Sequence, residues 1–181
     1  GFKDISSGYQ HYLALKDNGD LVGMGYDSDG GEVDDAVNYS DVISISAGYR
    51  ASTVLHSNGS VESFGDNGYV PEGGISNVVA ISYSYYHALV LKSDGTVVSW
   101  GYDDFGETVV PEGLKDVVAI ASGYQTSFAL KSDGTIVRWG RSYGFDNIDG
   151  LNGVVAISAG EGYALALKSD GTIVELDYFN P

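Results

Sequence analysis

Val78 to Gly101, VVAISYSYYHALVLKSDGTVVSWG, is the stretch that decides the fold. It divides into three short runs, Val78–Ser82, Ala88–Lys92 and Thr96–Trp100. Each is rich in β-branched or aromatic residues or alternates in polarity, the composition of strands on a pleated, half-buried surface. Ser93-Asp94-Gly95 separates the second run from the third. A glycine after aspartate supplies the positive φ of a tight turn, so these two runs read as a hairpin.

The same unit recurs along the chain. Its turn pair appears as Asn18-Gly19, Asn58-Gly59, Asp94-Gly95, Asp133-Gly134 and Asp170-Gly171, at spacings of 40, 36, 39 and 37 residues. Alignment on that pair brings Leu15, Leu55, Leu91, Leu130 and Leu167 into one column, and Ile5, Ile45, Ile81, Ile120 and Ile157 into another. A third column holds Met24, Phe64, Trp100, Trp139 and Leu176. Five copies at one period define a repeat architecture. A three-stranded unit cannot bury both faces alone, so the repeats are expected to stack as one all-β domain over residues 1–181. Their bounds fall at about 1–40, 41–76, 77–115, 116–152 and 153–181.

The end repeats differ from the middle ones. Lys3 stands where the others carry Ile43, Val79, Val118 and Val155, which reads as a terminal repeat facing water. Leu176-Asp177 replaces the Trp-Gly of Trp100-Gly101 and Trp139-Gly140. The chain opens on Gly1 rather than Met, the mark of a processed chain or a segment of something longer.

Composition narrows the function classes. With 25 acidic and 9 basic residues the net charge is −16. Such a surface repels phosphate backbones and anionic membranes, which argues against nucleic acid or membrane as partner and favours a basic protein. There is no cysteine, hence no disulfide, thiolate nucleophile or thiolate metal site. No apolar run approaches the ~18 residues needed to span a bilayer.

The run VVAISAGEGYALALKSDGTIV, Val154–Val174, resembles the repeats of the regulator of chromosome condensation family. The short period and the connectors Val70-Pro71-Glu72-Gly73 and Val110-Pro111-Glu112-Gly113 look most like its bacterial members, which include a type II β-lactamase inhibitor. The resemblance implies a β-propeller, a protein-binding role and a secreted or cell-surface bacterial location. Family members usually have seven blades and this chain has five repeats, so either five blades close or the chain is an arc of a larger propeller. An open arc would expose an apolar blade face at each end and drive self-association.

Strand parity then selects a face. In an up-down-up meander, the loop between strands one and two and the connector after strand three share one side, and the Asp-Gly hairpin lies on the other. The first loop set contains Tyr9, Tyr49, Arg50, Tyr83, Tyr85, Tyr86 and Tyr124; the second contains Tyr26, Tyr69, Tyr102, Asp103, Phe105, Tyr143 and Phe145. The hairpins carry no aromatic residue. Tyrosine combines rigid contact area with a hydroxyl, which suits protein recognition. The expected partner-binding set is Tyr9, Tyr49, Arg50, Tyr85, Tyr86, Tyr102, Asp103, Phe105, Tyr124, Tyr143 and Phe145. A few tyrosines, those after Gly8, Gly48 and Gly123, are candidates for inter-blade packing instead. The resemblance places enzyme-binding loops on this face, and Glu161 interrupts the first column in repeat five.

Little else suggests chemistry. His11 and His87 share a column but lack an evident third metal ligand; the resemblance implies a hydrogen bond within the blade. His56, in a lysine column, reads as a solvated strand end. Asp27-Ser28-Asp29-Gly30-Gly31-Glu32 offers oxygen ligands at short spacing but departs from the calcium-loop pattern and reads as an acidic turn. No nucleophile elbow, phosphate loop or dinucleotide fingerprint is present, so no catalysis and no cofactor are expected. The leading expectation is a protein-binding propeller module, with inhibition of a β-lactamase-type enzyme as its specific form. The alternative is a structural or adhesive repeat segment of a larger bacterial surface protein.

Overall fold

In a computed structural model of the chain, residues 1–26, 33, 36, 39–65, 70–141, 148 and 150–177 are described. They form five three-stranded antiparallel sheets, one per repeat. Blade one is β1 (Phe2–Ser7), β2 (His11–Lys16) and β3 (Leu21–Gly25). Blade two is β4 (Val42–Ala47), β5 (Ala51–His56) and β6 (Val61–Gly65). Blade three is β7 (Val78–Tyr83), β8 (His87–Lys92) and β9 (Val97–Gly101), within a residue of the expected runs. Blade four is β10 (Val117–Ser122), β11 (Thr126–Lys131) and β12 (Ile136–Gly140). Blade five is β13 (Val154–Ala159), β14 (Tyr163–Lys168) and β15 (Ile173–Asp177).

The hairpins form for local reasons. Gly95 takes φ +80°, and the Asp94 carboxylate accepts bonds from the Thr96 N–H (3.0 Å) and hydroxyl (2.6 Å). Asp133 with Thr135, Asp170 with Thr172, and Asn58 with Ser60 repeat that pairing. The Thr135 hydroxyl and amide, with Lys131 beside them, hold the exposed Asp133 carboxyl down to about 2.

Each first strand carries a register shift, between Val42 and Ser44, Val78 and Ala80, Val117 and Ala119, and Val154 and Ala156. The extra residue of the bulge turns outward, so Ile43, Val79, Val118 and Val155 are all exposed. Lys3 occupies that same bulge between Phe2 and Asp4. Its charge therefore marks a solvent-facing column in every blade and not a terminal blade, which corrects the sequence reading.

Each blade has a front and a back. In blade one, Ile5 pairs with Ala14 and Tyr12 with Met24 on the front; Leu13 and Leu15 lie on the back. The back of each blade packs on the front of the next. Leu13, Leu15 and Leu21 meet Ile45, Val54 and Phe64. Ala51, Leu55 and Val61 meet Val78, Tyr83 and Trp100. Leu89 and Leu91 meet Val117 and Trp139, and Phe128, Leu130 and Ile136 meet Val154, Ala166 and Leu176. Leu176 is thus a smaller filler of the tryptophan column, fully buried. Burying one such side chain contributes about 1.5–3 kcal/mol, so four interfaces dominate stability.

Hydrogen bonds repeat with the packing. The Ala47 N–H donates to Ser6 Oγ (2.9 Å), Tyr83 N–H to Ser46 Oγ (2.8 Å) and Ser122 N–H to Ser82 Oγ (3.0 Å), each from one blade to the blade before it. The five blades form an arc and not a closed ring. Met24 is 50% exposed, whereas the rest of its column lies between 0% and 7%. Leu167 is 39% exposed, whereas the rest of its column lies between 0% and 4%. The first break is on the front of blade one and the second on the back of blade five.

Candidate functional site

The loop between first and second strands is the same tight turn in every blade. The amides of Gly8, Gly48, Ser84, Gly123 and Gly160 donate to the carbonyls of His11, Ala51, His87, Thr126 and Tyr163 at 2.8–3.2 Å. The turn presents Tyr9, Tyr49, Tyr85, Tyr124 and Glu161 at one equivalent position. Two of these loops are also stitched to the next blade, Tyr9 N–H to Gly48 O (3.0 Å) and Tyr124 N–H to Gly160 O (3.3 Å). Gly48 is required by close approach: a Cβ there would lie 1.9 Å from Ser84 O.

Equivalent positions on adjacent blades put the rings in contact. Tyr9 and Tyr49 have centroids 4.8 Å apart, Tyr49 and Tyr85 stack at 4.7 Å, and Tyr85 meets Tyr124 edge-on at 4.8 Å. Tyr86 bridges Tyr49 (5.3 Å), Tyr124 (6.1 Å) and Tyr102 (5.7 Å). Six tyrosines thereby form one continuous cluster at the inner edge of the arc. Four of them, Tyr9, Tyr49, Tyr85 and Tyr124, border a cleft of about 430 Å³ lined by all five blades, with Glu161 on its rim. Desolvation, then the Glu161 carboxylate and the neighbouring tyrosines, raises the Tyr85 hydroxyl pKa; desolvation and the neighbouring tyrosines raise that of Tyr86. Tyr9 and Tyr102 remain 57% exposed. Arg50 is exposed beside Tyr49.

The connector after blade three adds a second part. Phe105 is exposed with the Arg141 guanidinium 4.4 Å over its ring, and Arg141 also donates to Gln125 Oε1 (2.8 Å). Asp103 accepts the Thr108 N–H (2.8 Å), so this carboxylate shapes its own loop. Tyr69, Tyr143, Phe145 and the acidic turn Asp27–Glu32 lie outside the described residues.

Three expectations are corrected. Tyr9, Tyr49 and Tyr124 belong to the surface cluster; the inter-blade tyrosine is Tyr83, buried against blade two, where desolvation drives its hydroxyl pKa upward. Its strand position, one residue before the turn, sends it to the front face. The column histidines bond between blades, not within one: His11 Nε2 to Ser52 Oγ (2.7 Å) and His87 Nε2 to Ser127 Oγ (2.9 Å). His56 is no solvated strand end; it is half-buried, with its Nδ1 3.1 Å from Ser40 O and its ring beside Tyr39.

Sequence reasoning missed Glu107, which is 1% exposed. Its carboxylate accepts the Phe105 N–H (2.7 Å), and its carbonyl accepts the Ser127 hydroxyl (2.8 Å) and the Trp139 indole N–H (2.9 Å). The residue fixes the aromatic connector to blade four. No periodicity reveals this, because Glu107 lies in a connector outside the repeated columns. Among the described residues no group of three His, Cys, Asp or Glu is placed to hold a metal, and no helix is long and apolar enough to cross a membrane.

The blade meander and the inter-blade packing define a β-propeller assembled from tandem repeats. The family model of the regulator of chromosome condensation (RCC1) repeat matches residues 2–30 and 78–107, within blades one and three and the connectors after them. Similar folds occur in yeast RCC1 (Prp20) bound to Kap60, with TM-score 0.75, 23% identity and coverage of 96% of this chain and 55% of that one. Prp20p of Saccharomyces cerevisiae, described with its binding properties to Gsp1p and histones, gives 0.76, 22%, 96% and 56%. Human WBSCR16 gives 0.76, 18%, 96% and 61%. The chain thus spans 55–61% of the length of these structures. No curated protein matches the sequence.

Proposed function

We propose that this chain is a non-enzymatic protein-binding module that recognises a basic protein through the tyrosine face of the arc. The observation that carries this is the continuous cluster of Tyr9, Tyr49, Tyr85, Tyr86, Tyr102 and Tyr124 on one edge, opposite hairpins that carry no aromatic residue. Rings already packed on one another lose little freedom when a partner docks, which lowers the cost of ordering the interface. Glu161 on the rim and the net charge of −16 attract a cationic patch and speed encounter. The fold is one on which solved relatives bind proteins, Kap60 among them.

In finer form, the partner is an enzyme of the β-lactamase type and the module acts as its secreted inhibitor in a bacterium. Only the sequence resemblance supports that form. The second reading, a structural or adhesive segment of a larger bacterial surface protein, is favoured by the tandem blades, each packed on its neighbours in sequence.

The test is quantitative capture from lysate and secreted fractions of the source organism. Three baits are compared: the chain, a Tyr85→Ala/Tyr86→Ala/Tyr102→Ala/Phe105→Ala variant, and a Glu112→Ala control. A well-packed aromatic anchor contributes about 2 kcal/mol, so each key truncation weakens binding roughly 30-fold. A partner retained by the chain and the control but lost by the folded variant is the expected result. Equal retention by all three would sink the reading.

A further inference from the structure

We infer that the cleft beside the tyrosine cluster seats one guanidinium group, an arginine side chain of the bound partner, held against the rings of Tyr85 and Tyr124 with its edge donating to the Glu161 carboxylate. This rests on the tyrosine face being the recognition surface, and it names the group which that face selects. The walls of the cleft are the ends of the first strands and the loops after them, at the inner edge of the blades, and not the outer faces of blades one and five.

The cleft is built for a cation. Among the described residues that line it, Glu161 is the one charged group, and there is no lysine, arginine or histidine. The Glu161 side chain is exposed and has no hydrogen-bond or ion-pair partner among the described residues. The turn that carries it is fixed, because Tyr124 N–H donates to Gly160 O (3.3 Å) and Gly160 N–H to Tyr163 O (2.9 Å). Its field reaches Tyr85, where desolvation first and the Glu161 charge next raise the hydroxyl pKa. Tyr49, Tyr85 and Tyr124 are half-buried and open on the cleft. The face of an aromatic ring is electron-rich and attracts a cation most strongly where water is partly excluded. Hydroxyls in the cleft are already engaged: Ser82 Oγ and Ser122 Oγ pair at 2.8 Å, and the Ser84 hydroxyl donates to Gly123 O. A free carboxylate beside electron-rich rings is left to meet the ligand, and an anion is repelled.

A guanidinium fits better than an ammonium. It is planar, so it can lie along a ring while its edge donates to an oxygen, and it is less strongly hydrated. The molecule already holds this arrangement next to Tyr124. Arg141 lies 4.4 Å over the Phe105 ring and donates to Gln125 Oε1 at 2.8 Å. Glu161 offers a charged acceptor where Gln125 offers an amide, and the charge-assisted bond is the stronger one.

The test is an NMR titration of the chain with three small probes. They are N-acetyl-argininamide, N-acetyl-lysinamide and N-acetyl-citrullinamide, the last an uncharged copy of the first. The arginine probe is expected to bind in the millimolar range and to shift the ring resonances of Tyr85 and Tyr124. The citrulline probe should bind about tenfold more weakly, and the lysine probe should fall between the two. Glu161→Gln, with its fold checked by circular dichroism, should weaken the arginine probe about tenfold. Glu112→Gln, an exposed carboxylate outside the cleft, should leave it unchanged. No shift at about 50 mM arginine probe, equal binding of the arginine probe and either other probe, or unchanged affinity in Glu161→Gln would each overturn the inference. The capture experiment separates this from the reading it rests on. A partner lost by the tyrosine variant but held fully by Glu161→Gln keeps the face and removes the guanidinium site. Guanidinium binding in a chain whose tyrosine variant retains every partner confirms the site and removes the face.

Discussion

His87 is buried completely, and its surroundings decide its protonation. The Ser127 hydroxyl gives its proton to Glu107 O at 2.8 Å, so it accepts from His87 Nε2, which must carry a hydrogen. Burial lowers the His87 pKa to about 4, against a smaller opposing pull from Asp103. The unfolded chain, with a His pKa of about 6.5, therefore takes up a proton first as pH falls. The contribution is fully present above the unfolded value and is lost between about 6.5 and 4, amounting to about 3 kcal/mol. Urea unfolding across that window, compared with His87→Gln, should show the two stabilities converging as pH falls. Parallel pH profiles would mean that His87 is protonated while folded.

At the scale of the element, the entry to each blade is a fixed corner. Asp41, Asn77 and Asp116 adopt φ of 58°, 61° and 61°, and Gly153 takes φ 70° at the equivalent place. Aspartate and asparagine tolerate this left-handed conformation better than other side chains, and a β-branched residue tolerates it worst. Asp116→Gly should leave stability within about 0.5 kcal/mol, and Asp116→Val should cost about 1–2 kcal/mol. Thermal or urea unfolding of the two variants checks this; equal losses would show that the Asp116 side chain, not its backbone, holds the corner. The corner carbonyls of Asp41, Asn77 and Asp116 accept the hairpin amides of Ser57, Ser93 and Ser132, so corner and hairpin hold one another. Sequence repetition exposed the hairpins because their chemistry is local. It misread Lys3, since a bulge changes which way a side chain points without changing the residue pattern.

For the whole molecule, charge and curvature matter most. A net charge of −16 on 181 residues destabilises the compact arc by self-repulsion. Raising ionic strength from about 0.01 M to about 0.15 M shortens the screening length from about 30 Å to about 8 Å. The melting temperature should therefore rise by a few degrees, as measured by calorimetry at low protein concentration. A flat or falling response would mean that opposite charges are already matched across the surface. Curvature brings Tyr9, Tyr49, Tyr85 and Tyr124, spread over 116 residues of sequence, into one ring-to-ring series beside Glu161.

The sequence by itself determined the number of blades, the strands, the hairpin turns and the edge on which the aromatic residues gather. All of these follow from local propensity, a period of two along each strand and a repeat near 38 residues, consistent with spacings of 36–40. Only the tertiary structure decided that Tyr83 is core and Tyr9 surface, that the histidines reach into the next blade, and that Glu107 anchors a connector. Each depends on which neighbour covers a residue, and strand alternation names the face without naming what lies against it. The open ends were hidden for the same reason. Met24 and Leu167 sit in columns that look apolar throughout, and exposure appears only where a neighbouring blade is missing.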